Sequence, residues 1–165
     1  MVIRDATERD LPAIVALYAD DELGAGREQP GEPLAAEYRA GFAAITADPR
    51  TRLVVADDGG EVVGTLQLTF LPHLVRRGGE RAQVEAVRVA SSHRGSGLGR
   101  ELLSWAVEQA RVRGCVLVQL TTDVARPDAH RFYESLGFTA SHLGLKLPLT
   151  PGQATNEPSI SSSQG

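Results

Sequence analysis

Arg94-Gly95-Ser96-Gly97-Leu98-Gly99 sets an arginine and three alternating glycines directly before an amphipathic run, Arg100 to Arg113. Upstream lies a strand-like segment, Gln83-Val84-Glu85-Ala86-Val87-Arg88-Val89. A strand therefore feeds a glycine turn, and the turn feeds a helix. Glycine has no Cβ, so the backbone can approach a ligand with its N–H groups pointing inward. The helix N-terminus adds partial positive charge and free donors. This order predicts an anion site, and a pyrophosphate is the anion that fits it.

Spacing narrows the kind of pyrophosphate site. A Walker-type loop ends in Gly-Lys-Ser/Thr, and this turn contains no lysine. A dinucleotide fingerprint, G-x-G-x-x-G, needs a glycine three residues after Gly97, where Arg100 stands. It also belongs to a first βαβ unit, whereas this turn lies past the middle of the chain. A second segment follows at Ala129-His130-Arg131-Phe132-Tyr133-Glu134-Ser135-Leu136-Gly137-Phe138. The R-G-x-G-L-G turn after a strand ending Val-Arg-Val, followed by A-x-x-F-Y-E-x-x-G-F, resembles the GNAT superfamily of N-acetyltransferases. The resemblance runs from about Thr51 to Leu147.

Composition bounds the alternatives. A chain of 165 residues and 17.6 kDa suits one compact domain with a real core. Residues 1–147 read as that domain, and residues 148–165 as a flexible or loosely packed tail rich in Ser, Pro, Gly, Gln and Thr. Net charge is −4, which disfavours a nucleic-acid partner. No apolar run is long enough to cross a bilayer. The chain opens on strand-like, charged residues rather than on a signal peptide, so the expected compartment is the cytoplasm. The single cysteine, Cys115, opens an apolar strand and reads as a packing residue, and no Cys/His cluster has zinc spacing. No metal is expected.

The pass along the chain predicts a strand at Val2–Arg4 and a capping box at Thr7–Asp10. Leu11, Ile14, Val15 and Tyr18 then recur at helical spacing up to Gly24-Ala25-Gly26. A second helix runs from Pro33 to Asp48-Pro49, with Leu34, Tyr38, Phe42 and Ile45 on one stripe. Arg52–Ala56 and Glu61–Leu71 form a hairpin around Asp57-Asp58-Gly59-Gly60. His73–Glu80 is a basic loop, Arg81–Val89 a strand, and Gly97–Arg113 the phosphate helix, with Leu98, Leu102, Ala106 and Ala110 facing inward. Val116–Leu120 reads as a central strand covered on both faces. Pro127–Leu136 is the last helix and Phe138–Leu147 the last strand.

This order matches the superfamily. The resemblance implies an α/β (α+β) fold: a mixed, twisted sheet whose fourth and fifth strands splay apart to admit the pantetheine arm of acetyl-CoA. Backbone groups of Val87 and Val89 would pair with the pantetheine amides as an added strand does. The turn Arg94, Gly95, Ser96, Gly97, Leu98, Gly99 and Arg100 would hold the pyrophosphate, with Arg94 and Arg100 as candidate phosphate partners. Acetyl-CoA serves as acyl donor substrate.

Acyl transfer to an amine needs a neutral amine, a stabilised tetrahedral oxyanion and a proton for the departing thiolate. Glu85 is the candidate base. Strict alternation puts its carboxylate on the same strand face as Val87 and Val89, and a β-bulge would instead turn it to solvent or toward Arg81 or Arg88. Tyr133 is the candidate acid, because a phenol with an ordinary pKa of about 10 suits a thiolate as it leaves. Packing against Phe132 is the alternative role. Many relatives carry an asparagine seven residues before this tyrosine; Arg126 stands there, so that contact is not carried over.

The acceptor pocket in such a fold is lined by residues 22–31 and 73–80. The first stretch and its flanks are acidic (Asp20, Asp21, Glu22, Glu28, Glu32) and would attract a cationic amine, while the second and its flank bring Arg76, Arg77 and Arg81, which would instead hold an acceptor carboxylate. These cues point in opposite directions, so the acceptor is either a small primary amine or an exposed protein amine. The chain is expected to act as a monomer or homodimer. The rival reading is a non-catalytic acyl-CoA-binding sensor of the same fold.

Overall fold

A computed structural model describes residues 1–20 and 26–149. The chain divides into two compact units, Met1–Pro127 and Asp128–Gly165.

The first unit is a five-stranded sheet in the order β1-β2-β3-β4-β5. Its strands are β1 (Val2–Asp5), β2 (Thr51–Asp58), β3 (Glu61–Leu71), β4 (Arg81–Val89) and β5 (Leu117–Leu120). Neighbours run antiparallel except β4 and β5, which are parallel. A parallel pair needs a crossover. Here it is α4 (Leu98–Arg113), which buries Leu98, Leu102, Leu103, Ala106 and Ala110. The spacing of those residues is that of one helix face. Across from α4, a Cβ on Gly64 of β3 would lie 3.1 Å from Leu102 and 3.3 Å from Leu98, so the glycine permits this close packing.

The opposite face is covered by α1 (Leu11–Ala19) and α2 (Ala36–Ala47). Ile14 packs with Leu53 and Val55, joined by Tyr18, Phe42 and Ile45. Leu11, Val15 and Leu34 form an adjoining cluster with Tyr38 and Phe42. Because helices cover both faces, Thr65 is fully buried although its neighbours alternate, and its hydroxyl donates to the Val54 carbonyl at 2.8 Å. A short 3-10 turn, Glu8–Asp10, precedes α1. Asp10 there accepts the Thr7 N–H at 2.7 Å and two Arg4 bonds at 2.8 and 2.9 Å.

Several boundaries differ from the sequence reading for physical reasons. The second helix starts at Ala36 rather than Pro33, because Leu34 first turns into the cluster with Leu11 and Val15, and Ala35 is extended (ψ 141°). The expected stop at Gly24-Ala25-Gly26 falls mostly outside the described residues; α1 ends at Ala19. The hairpin turn is tighter than expected, with only Gly59 and Gly60 between the strands, both at positive φ (65° and 101°). The basic loop contains one kinked turn, α3 (Val75–Gly78), with Arg76 and Arg77 at φ 58° and 59°. Among the described residues β5 is an edge strand paired with β4 alone and only half-buried, not a strand covered on both faces.

The second unit is described through α5 (Pro127–Glu134), a turn at 135–137, and residues 138–149. Phe138–Leu147 is not a strand. Leu143, Leu145, Leu147 and Leu149 keep alternating spacing but are 80–89% exposed. A strand exists only where a ladder satisfies its backbone, and no pairing reaches this segment among the described residues. No helix among the described residues is long and apolar enough to cross a membrane.

Candidate active site

The site begins with a defect in β4. Gln67 of β3 pairs with Glu85, and Thr65 pairs with Arg88, so three steps along β4 span two along β3. The extra residue is accommodated at Ala86, whose φ is 51°. Such a bulge shifts side-chain alternation by one. Glu85 and Arg88 therefore share the face of Gln67 and Thr65, while Val89 lies opposite Gly64 on the other face. The strict alternation expected for Glu85, Val87 and Val89 is broken, and Glu85 is exposed rather than held on an apolar face.

The bulge sits where β5 ends. Pairing of β4 with β5 covers Arg81 to Val84, the last pair being Val84 with Leu120. A Gln119-to-Gln83 side-chain bond of 2.6 Å ties the strands just before that point. Residues 85–89 continue without a β5 partner, which is the expected splay of the fourth and fifth strands. This open edge begins at Glu85, contains Val87 and Val89, and leads into the glycine turn. Arg88 donates to the Val87 carbonyl at 2.8 Å and lies 6.0 Å from the centre of the Tyr18 ring. Burial pushes the Tyr18 phenol up, and the Arg88 charge opposes that shift.

Beyond β4, a 3-10 turn (Ser91–His93) leads to Arg94. Gly95 and Gly97 hold φ 78° and 94°, a region side chains rarely adopt. A Cβ at either would meet nothing within 4 Å, so the requirement for glycine there is conformational. Gly97 caps α4, and its carbonyl accepts from the Arg100 and Glu101 amides at 2.9 and 3.1 Å. The Leu98 and Gly99 amides have no acceptor inside the helix. Leu98 N–H leans on Ser96 Oγ at 3.4 Å, while the Ser96 hydroxyl donates to the His93 carbonyl at 2.7 Å. The Leu98 side chain is buried in the core, so only its backbone faces the turn. Arg100 is exposed. Arg94 Nη2 donates to Asp20, at 2.7 Å to the carbonyl and 2.9 Å to Oδ2.

Tyr133 lies in the second unit on α5. Its ring packs at 5.4 Å from Phe132 and 6.1 Å from Phe138, centre to centre. Among the described residues no group of three or more His, Cys, Asp or Glu is placed to hold a metal ion. The sequence offered a β-bulge near Glu85 only as the alternative to strict alternation, and it missed the contact of Asp20 with Arg94. No residue type announces the bulge, since Ala86 is an ordinary strand residue. Asp20 read only as one acid among five, because nothing local points to a partner 74 positions away.

The arrangement presents a strand edge that runs on past its last β5 pair, a carboxylate where it opens, and a glycine turn at a helix N-terminus. Comparison with known proteins agrees. The Acetyltransferase (GNAT) family model matches residues 11–138. The chain is 39% identical over 105 residues to an aminoalkylphosphonate N-acetyltransferase of Salmonella typhimurium, covering 64% of this chain and 68% of that protein. It is 32% identical over 144 residues to an L-methionine sulfoximine/L-methionine sulfone acetyltransferase of Pseudomonas paraeruginosa, covering 84% and 80%. A crystal structure from Bacillus halodurans, described as a transcriptional regulator, superposes with TM-score 0.87 at 52% identity, covering 89% of this chain and 98% of that one. The chain belongs to the GNAT family of acetyltransferases.

Proposed function

We propose that this enzyme transfers an acetyl group from acetyl-CoA to the primary amine of a small molecule. The observation that carries the reading is the run of β4 beyond its last β5 pair, opening toward the glycine turn of α4. In this reading the pantetheine arm lies along Val87 and Val89, and the pyrophosphate meets the amides of residues 95–99. The cofactor brings the activated acyl group, so the chain needs no nucleophile of its own. Glu85 takes the amine proton, directly or through water, from the mouth of the opening. Tyr133, which matches the tyrosine of the family signature, supplies the proton to the thiolate. A small acceptor is favoured over a protein amine because the relatives above are named for small amine-bearing substrates.

The test is release of free thiol from acetyl-CoA across a panel of amines, including aminoalkylphosphonates, amino-acid sulfones and lysine peptides. Turnover with a small amine supports the reading. Turnover with peptides alone would move the acceptor to protein. CoA binding without thiol release from any amine would favour the sensor, a reading consistent with the description of the Bacillus halodurans structure.

A further inference from the structure

We infer that Asp20, at the end of α1, is a positioning residue for the acyl donor: it clamps the segment leading into the phosphate turn. The inference rests on the proposed placement of the pyrophosphate at residues 95–99. Its basis is a set of contacts between positions far apart in the chain. Arg94 Nη2 donates to the Asp20 carbonyl at 2.7 Å and to Oδ2 at 2.9 Å. The same Oδ2 accepts the Ser91 N–H at 3.2 Å. Arg94 Nε reaches the Val89 carbonyl at 3.4 Å. One carboxylate and one guanidinium thus join the end of α1, the last residue of β4 and both ends of the Ser91–Arg94 link.

Asp20 is itself anchored, because its N–H donates to the Ala16 carbonyl at 2.9 Å. From Arg94 the order passes on. His93 O accepts both the N–H and the hydroxyl of Ser96, at 3.3 and 2.7 Å, and Ser96 Oγ meets Leu98 N–H. A turn with two glycines at positive φ is entropically costly to order. Fixing its upstream flank lowers that cost before the ligand arrives, which is preorganisation. The pair is about half exposed, 55% for Arg94 and 44% for Asp20, so its charge attraction alone is weak. Its effect on the donor comes from geometry. Arg94 consequently acts through the turn, and the backbone amides carry the phosphate contact.

The experiment is calorimetry with CoA at low and high salt on the full chain and on Asp20→Asn, Arg94→Gln, the double variant and Asp20→Glu. Thermal melting verifies folding. Each single change should weaken CoA roughly tenfold, the scale of one lost charge-assisted hydrogen bond. The double variant should lose no more than either single one. All should keep the wild-type salt dependence, and Asp20→Glu should recover part of the loss. The Michaelis constant for acetyl-CoA should rise in step, while turnover at saturation moves far less. Undiminished affinity in Asp20→Asn, or additive losses, would overturn the clamp. A flattened salt dependence in Arg94→Gln alone would place Arg94 on the phosphate instead. Gly97→Val separates the two levels. Retained CoA affinity in that folded variant removes the phosphate turn itself. Loss there with none in Asp20→Asn removes only the clamp.

Discussion

Asp10 is a buried carboxylate held by the Arg4 guanidinium. Two Arg4 bonds pull its carboxyl down to about 2 from an ordinary 3.8, and the Thr7 N–H and hydroxyl add to the effect. A depressed carboxyl stabilises the fold above the unfolded-state value and loses that contribution as pH falls through the folded one. Asp10→Asn should therefore cost about 2 kcal/mol at pH 7. The gap from wild type in denaturant melts should narrow as pH drops from about 4 toward 2; a gap independent of pH would deny the ionic origin. For Glu85 the expected outcome is kinetic. Glu85→Gln should lower the rate most near neutral pH, with the deficit shrinking as the amine deprotonates unaided at higher pH. A pH–rate profile parallel to wild type would remove Glu85 from proton transfer. Tyr133→Phe retains the ring contacts with Phe132 and Phe138. If the hydroxyl is the acid, turnover falls roughly a hundred- to ten-thousand-fold with little change in melting temperature; full activity would leave Tyr133 a packing residue.

Among the elements, β4 decides most. In a regular strand Val is favoured over Ala and Ala over Gly. At position 86, where φ is 51°, the order should reverse. Ala86→Val should destabilise by about 1–3 kcal/mol, while Ala86→Gly should be neutral or stabilising. Melting temperatures of the two variants check the bulge directly, and a more stable valine variant would mean the strand is regular. The contact of β3 with α4 is tested at Gly64. A Cβ there would sit 3.2 Å from the Arg88 carbonyl and 3.1 Å from Leu102. Side-chain ends can yield but a paired backbone oxygen cannot, so Gly64→Ala should cost about 1–2 kcal/mol by urea titration. Elements whose burial follows from their own periodicity were legible from sequence. The five buried residues of α4 include all four expected ones, and β3 and β4 have the expected bounds. β5 was legible as a strand but its edge position was not, because four residues cannot reveal whether a neighbour lies on one side or both.

For the molecule as a whole, exposure of residues 139–149 has a measurable consequence. Lys146 lies in an exposed stretch without regular structure. Limited trypsin digestion should cut after Lys146 before Arg52, Arg81 or Arg88, whose ladder-paired backbone must open first. Cleavage within β2–β4 at an equal rate would contradict this order. The glycine turn and the F-Y-E segment were enough to place the chain among acetyltransferases, and the family match over residues 11–138 agrees.

The sequence by itself determined the alternation of strand and helix, the inward faces of α1 and α4, and a glycine turn that must lead from β4 into a helix. These are local properties: periodicity, backbone freedom and capping act over a few residues, and each is written in the residue types themselves. Only the tertiary structure decided which way Glu85 faces, where β5 stops pairing, and that Arg94 is held by Asp20. Those outcomes depend on register and on partners tens of residues apart. Register is a property of two strands together, and a single extra residue at Ala86 inverts the face of everything on one side of it.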